Sequence, residues 1–368
     1  MWSATDGGST LQQIDADEPK ASTMSDIRIS NDESFVDYQE LCDVLPAPGV
    51  HAVHRDLDEA REWLRDWVIS RGLATSDLEW EVIDRQNNPF QAACFYPDCQ
   101  SREDALYCGA WLTWLLKVDD WFDQLDSRDN PDRAAGFVGA LLQVTARARI
   151  NARRPGGRAD PIDWPSLNPL LTAGAELIDW ACTSMSLVWR NRFLGHLDDW
   201  LRAYVTETEN RAQKILLLPE DLIRIKRTCM AVAPCCDLVE RLSVGELNPR
   251  VRRALAPLVD AVCDITGALN DLISLEKERA CGDNHNLVES LMVHRSMSQE
   301  QAMGAVKFFI QQQAQELREK SVKIPRALVG HFQQKQARQW AKNCCTFARG
   351  YHSWSLRTLR YELEIANE

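Results

Sequence analysis

The chain has 368 residues, 45% of them hydrophobic and 26% charged. It therefore holds apolar material for a large core and is not a wholly disordered polypeptide. Lys and Arg number 42 against 54 Asp and Glu, a net charge of −12, which argues against a nucleic-acid-binding surface.

The acidity is concentrated at one end. Residues 1–46 carry ten acids and two bases, net −8, and the rest of the chain is close to neutral. That segment lacks a helical period and closes on Pro46-Ala-Pro48-Gly49. It reads as a disordered acidic N-terminal extension ahead of one all-α domain over 47–368. The opening MWSATDGGST is polar and acidic, unlike a secretory leader. No run reaches the roughly 18 apolar residues of a transmembrane helix. Twelve cysteines are scattered without a CxxC pair, which suits buried reduced thiols in a cytoplasmic protein better than a zinc site.

From Asp56 to Ser70, Leu57, Trp63, Leu64, Trp67 and Val68 fall at helical spacing. Similar segments follow at 101–125, 132–149, 167–185, 191–217, 219–243, 248–281, 284–293, 298–317 and 325–364. Strand alternation bounded by Asn-Gly or Asp-Gly turns is absent. The reading is all-α, a single large helical bundle. Residues 150–166 contain three Pro and two Gly and read as an exposed connector. No repeat of 20–50 residues is evident, which disfavours a solenoid.

Two polar clusters interrupt apolar helices. Asp119, Asp120 and Asp123 follow the run Trp111 to Lys117, and positions 119 and 123 share one helix face. Three acids at the end of an apolar helix repel one another, and a divalent cation with hard oxygen ligands, Mg²⁺ for example, relieves that. Asn270, Ser274 and Glu278, spaced i, i+4, i+8, form a polar stripe behind the mostly apolar run 258–269. Asn and Ser are poor mid-helix residues, so this stripe is a second candidate cation site. Arg224 and Arg227 on another apolar helix, Lys277 between the stripe residues, and Arg360 beside Tyr361 supply charge for a diphosphate.

On these residues the chain resembles class I terpene synthases of the microbial, single-domain type, sesquiterpene synthases among them. Asp119-Asp120-Trp121-Phe122-Asp123 matches the family's DDxxD. Asn270-Asp271-Leu272-Ile273-Ser274-Leu275-Glu276-Lys277-Glu278 matches NDxxSxxxE at every fixed position, and Arg360-Tyr361 matches its C-terminal pair. The resemblance spans about residues 50–365. It implies a helical bundle enclosing an apolar active-site cavity and three Mg²⁺ ions per site. Asp119 and Asp123 would hold two ions and Asn270, Ser274 and Glu278 the third, with Asp120 a lesser ligand. Arg227, preferred to Arg224 as the family's diphosphate sensor, would join Lys277, Arg360 and Tyr361 in donating to the diphosphate. The family usually breaks the sensor helix with Gly; here Ala231 stands there, and Pro234 is expected to supply the break.

The implied reaction is ionisation of a prenyl diphosphate, farnesyl diphosphate foremost, and cyclisation of the carbocation to a sesquiterpene, with geranylgeranyl diphosphate as the alternative substrate. Phe95, Trp114, Phe122 and Trp354 are the expected pocket aromatics, with Tyr96, Trp111, Trp340 and Phe347 as further candidates; core packing is the plainer account of each. No DxDD motif occurs, which disfavours a protonation-initiated cyclase, and no second Asp-rich run, which disfavours a chain elongase. A non-catalytic helical binding module would leave the acidic and basic clusters apart in space. Monomer and homodimer are both compatible with the sequence.

Overall fold

Helix starts follow capping side chains. Asp56 accepts the Glu59 N–H (2.8 Å) ahead of α1 (Leu57–Ser70), and Ser101 accepts the Asp104 N–H (3.0 Å) ahead of α4 (Arg102–Asp123). Ser298 and Gln301 form a reciprocal capping box at α14 (Gln299–Val322). The structure is a computed structural model, and it describes residues 40–49, 54–152, 168–323 and 331–362. Among the described residues all regular structure is helical. In chain order the other helices are α2 (Asp77–Asp84), α3 (Asn88–Phe95), α5 (Leu125–Arg128), α6 (Pro131–Ala152), α7 (Pro169–Cys182), α8 (Leu187–Ala212), α9 (Pro219–Cys229), α10 (Val232–Ser243), α11 (Pro249–Ala254), α12 (Ala256–Cys281), α13 (Leu287–His294) and α15 (His331–Ser355). None of them is long and apolar enough to cross a membrane.

The expected all-α bundle is present, with corrections in its segmentation. The short α2 and α3 carry too few turns for a periodic signal and were not foreseen. The segment 219–243 is two helices, parted where Ala231 adopts a left-handed φ of 53°. Pro234 does not make this break; it sits in the first turn of α10, where no intrahelical donor is lost. The segment 248–281 divides into α11 and α12. Residues 150–152 of the foreseen connector belong to α6, and 153–167 lie outside the described residues.

The N-terminal extension also needs a new boundary. Residues 1–39 lie outside the described residues, but Leu41, Cys42 and Leu45 are buried in the core, and Asp43 pairs with Arg349 of α15. The apolar positions of Leu-Cys-Asp-Val-Leu dock this stretch on the body despite its acidic surroundings.

α12 packs against α9, α10, α14 and α15, while α4 packs against α1, α3 and α7. The chain beyond α15 turns back over the α2–α3 junction. Trp354 donates its indole N–H to the Gln86 carbonyl (2.7 Å), and the Leu359 N–H bonds the Arg85 carbonyl (3.0 Å). These bonds fix residues 358–361 beside the C-terminal ends of α4 and α12.

Candidate active site

The three acids sit in the last turn of α4, and Glu278 in the last turn of α12, with Ser274 and Asn270 on the same face one and two turns earlier. A helix C-terminus already carries negative partial charge, so acids there are electrostatically misplaced unless cations meet them. In α4, one oxygen each of Asp119, Asp120 and Asp123 come within 4.8 Å of one another. Burial, and then the Asp119 charge, push the Asp123 carboxyl above its usual range. Lys277 of α12 reaches across to Asp123 at 3.1 Å. On α12, Ser274 donates to the Asn270 carbonyl and to Glu278 Oε1, both at 2.6 Å, while Asn286 donates to Glu278 Oε2 at 2.8 Å. Burial raises the Glu278 carboxyl to about 7 against the counteracting Lys226 charge.

The C-terminal pair joins the two clusters. Arg360 lies 2.8 Å from Asp119 and 2.8 Å from Asp120, and Asn270 donates to the Tyr361 hydroxyl at 3.1 Å. Tyr204 of α8 adds a bond to Asp119 (2.9 Å). Beneath this mouth lies a cavity of about 1230 Å³, its opening included, walled by α3, α4, α8, α9, α10, α12 and α15. Its lining includes Asp119, Asp123, Asn270, Ser274, Lys277, Glu278, Arg360 and Tyr361. The clusters therefore meet in space, as a binding module with separate charged patches would not require.

Asp120 stands just outside the lining, held by Arg360 and by Gln86 at 3.4 Å. Of the expected pocket aromatics, Phe95 and Trp354 line the cavity, and Phe347 does so among the further candidates. Trp114 and Phe122 do not. Trp114 turns toward α7, where its indole N–H bonds the Leu170 carbonyl (2.9 Å), and Phe122 is stacked on Tyr204 with centroids 4.0 Å apart. Trp111, Trp340 and Tyr96 are likewise buried outside the lining. Trp200, Tyr204 and Tyr351 are wall aromatics that sequence reading missed.

Arg227 is the main correction among the charged residues. Its guanidinium makes two 2.7 Å bonds to Asp264 and lies outside the cavity wall, and Arg224 is exposed and paired with Asp221. Lys226 lines the cavity instead, bonded to the fully buried Asp271. Burial opposes the Lys226 charge, but Asp271 and Glu278 outweigh it and raise its pKa. Spacing alone does not separate the two: Leu222, Lys226 and Met230 recur at i, i+4, i+8, and so do Ile223, Arg227 and Ala231, so the choice between them needed the fold. A further polar group, Glu207, Arg211, Asp283 and His285, adjoins the site, with Arg211 2.8 Å from Asp283 and 4.0 Å from Asp123. It comes from separate segments with no shared motif.

Comparison with known proteins agrees with this geometry. A family model described as "Terpene synthase family 2, C-terminal metal binding" matches residues 110–316, which hold both clusters. Pristinol synthase of Streptomyces pristinaespiralis is 27% identical over 312 residues, covering 83% of this chain and 81% of that one. R-linalool synthase of Streptomyces clavuligerus is 27% identical over 330 residues, covering 88% and 94%. Among solved structures, linalool/nerolidol synthase of Streptomyces clavuligerus in complex with 2-fluorogeranyl diphosphate superposes with a TM-score of 0.67 at 26% identity, covering 86% of this chain and 99% of that one. Wild-type cucumene synthase, at 22% identity, shares the fold with a TM-score of 0.69, covering 85% and 99%.

Proposed function

The chain belongs to the terpene synthase family as a class I enzyme, a lyase, and from that premise we propose that it ionises farnesyl diphosphate with Mg²⁺ and cyclises the cation to a sesquiterpene. The observation that carries this reading is the adjacent pair Arg360 and Tyr361, which ties both oxygen-ligand clusters together over an aromatic-walled cavity.

The donor set fits a divalent metal. Carboxylates crowded within 4.8 Å and a half-buried Glu278 whose ionisation its surroundings oppose are groups whose charge a dication would balance. Asp119 and Asp123 would hold Mg²⁺ on one side and Asn270, Ser274 and Glu278 on the other, three ions being the family's complement. Bound there, the ions supply Lewis-acid neutralisation of the charge developing on the departing diphosphate.

The chain's own residues do the rest. Lys226, Lys277, Arg360 and Tyr361 present N–H and O–H donors along the mouth, suited to the diphosphate oxygens. Arg360 is paired with Asp119 and Asp120, and a metal held by those acids would offset their charge and free the guanidinium for the anion. Phe95, Trp200, Phe347, Tyr351 and Trp354 keep water from the cation and offer ring faces worth roughly 0.5–2 kcal/mol each.

The likeness to R-linalool synthase, which spans the larger share of both chains, favours a second reading in which an acyclic alcohol is released. Incubation with farnesyl diphosphate, with and without Mg²⁺, separates the readings. A cyclic fifteen-carbon product formed only with Mg²⁺ supports the first, and nerolidol-type alcohols support the second. Turnover of geranylgeranyl diphosphate alone would move the assignment to a diterpene synthase.

A further inference from the structure

We propose that Arg128, on the short helix α5 that follows the aspartate cluster, is a further diphosphate-binding residue of this site; the assignment rests on the function proposed above. Among the described residues four Lys or Arg side chains line the cavity, and three of them are engaged with carboxylates. Lys226 is bonded to Asp271, Lys277 lies 3.1 Å from Asp123, and Arg360 lies 2.8 Å from both Asp119 and Asp120. Arg128 is the fourth. Among the described residues its side chain takes part in no ion pair or hydrogen bond, and its Nε is buried without a partner. The next arginine along the chain differs: Arg133 pairs with Asp126 at 3.2 Å and lies over the Trp121 ring.

Position reinforces the contrast. Gly282 ends α12 in the left-handed conformation, φ 70°, and a Cβ there would sit 3.1 Å from Arg128 Nη2. The side chain thus extends from the end of the α4 cluster to the end of the helix bearing Asn270, Ser274 and Glu278. An unpaired guanidinium part-way into a wall forfeits hydration without compensation. A diphosphate compensates it with charge-assisted bonds in the geometry the guanidinium fork matches.

The test is calorimetric titration of the full chain with inorganic pyrophosphate in the presence of Mg²⁺. Arg128→Gln should weaken binding about tenfold, the loss of one charge-assisted contact. KM for farnesyl diphosphate should rise by a similar factor, with Tm unchanged. Arg128→Lys, which keeps the charge and guards against a folding defect, should recover most of the affinity. An unchanged pyrophosphate Kd in Arg128→Gln, beside a wild type that turns over farnesyl diphosphate, would overturn the assignment alone. A fall in Tm with unchanged Kd would also overturn it, reducing Arg128 to a structural contact at the end of α12. A wild type that neither binds pyrophosphate nor turns over the substrate would overturn the proposed function along with it.

Discussion

Asp119, Glu278 and Lys226 show three ways in which a charged residue serves this site. Asp119 faces the mouth and contacts two donors, Tyr204 and Arg360. Asp119→Ala and Glu278→Ala should each lower kcat/KM by more than about 100-fold, since even outer partners of metal ligands are worth roughly 10–100-fold. Far-UV circular dichroism should show unchanged helical content, and full activity in either variant would contradict the ligand assignment. Lys226 and Arg227 make a sharper pair. Lys226→Ala strands the fully buried Asp271, a loss of roughly 3–5 kcal/mol of stability by chemical denaturation, with activity falling too. Arg227→Ala leaves the cavity wall intact, and its kcat/KM should stay within a few-fold of wild type; a hundredfold loss would restore Arg227 to the site.

The α3–α15 and α9–α10 contacts are the elements on which the cavity depends. α15 places Phe347, Tyr351 and Trp354 in the wall, and it can approach α3 only because Gly350 lacks a side chain: a Cβ there would lie 2.3 Å from the Cys94 carbonyl oxygen. Gly350→Ala must push the helices apart. A drop of several degrees in Tm is expected, together with an altered product mixture, because Phe95 belongs to the same α3 turn. At the α9–α10 junction, Ala231 holds a left-handed φ of 53° that costs a non-glycine residue about 1–3 kcal/mol. Ala231→Val should lower stability further, because a β-branched side chain tolerates that region less well than alanine. Ala231→Gly should be neutral or stabilising; a marked loss of stability in the glycine variant would show that the strain account is wrong.

The molecule as a whole is held partly by a charge cluster remote from the cavity mouth. Asp237 on α10 is fully buried and pairs with Arg192 (2.9 Å), His196 (2.6 Å) and Arg252 (3.2 Å). Although burial alone would raise it, these partners lower its carboxyl from 3.8 to about 2. A depressed carboxyl stabilises the fold above its unfolded pKa and loses that contribution as pH falls through the folded value. Acid unfolding should therefore steepen between about pH 4 and pH 2, by about 2 kcal/mol for this group. In Asp237→Asn that step should disappear and stability at neutral pH should be lower; an unchanged acid limb would refute the account. The N-terminal stretch is also tied to the whole. Truncation through residue 46 removes the buried Leu41, Cys42 and Leu45 and should lower Tm relative to truncation through residue 39.

What the sequence determined by itself was local and periodic. Helical spacing announced the long helices, and two motifs with their fixed offsets announced the polar faces that α4 and α12 turn to the cavity, because i and i+4 positions share a face whatever surrounds them. Arg360 and Tyr361 were legible as a pair, and Phe95 and Trp354 as wall residues by their place in the chain. Tertiary structure decided everything that depends on which neighbour lies across a gap. It placed Lys226 rather than Arg227 in the wall, turned Trp114 and Phe122 into packing residues, and bound Leu41, Cys42 and Leu45 to the body. It also left Arg128 facing the cavity among the described residues without an acid to meet it. Charge and apolarity are properties of a residue, but partnership is a property of the fold.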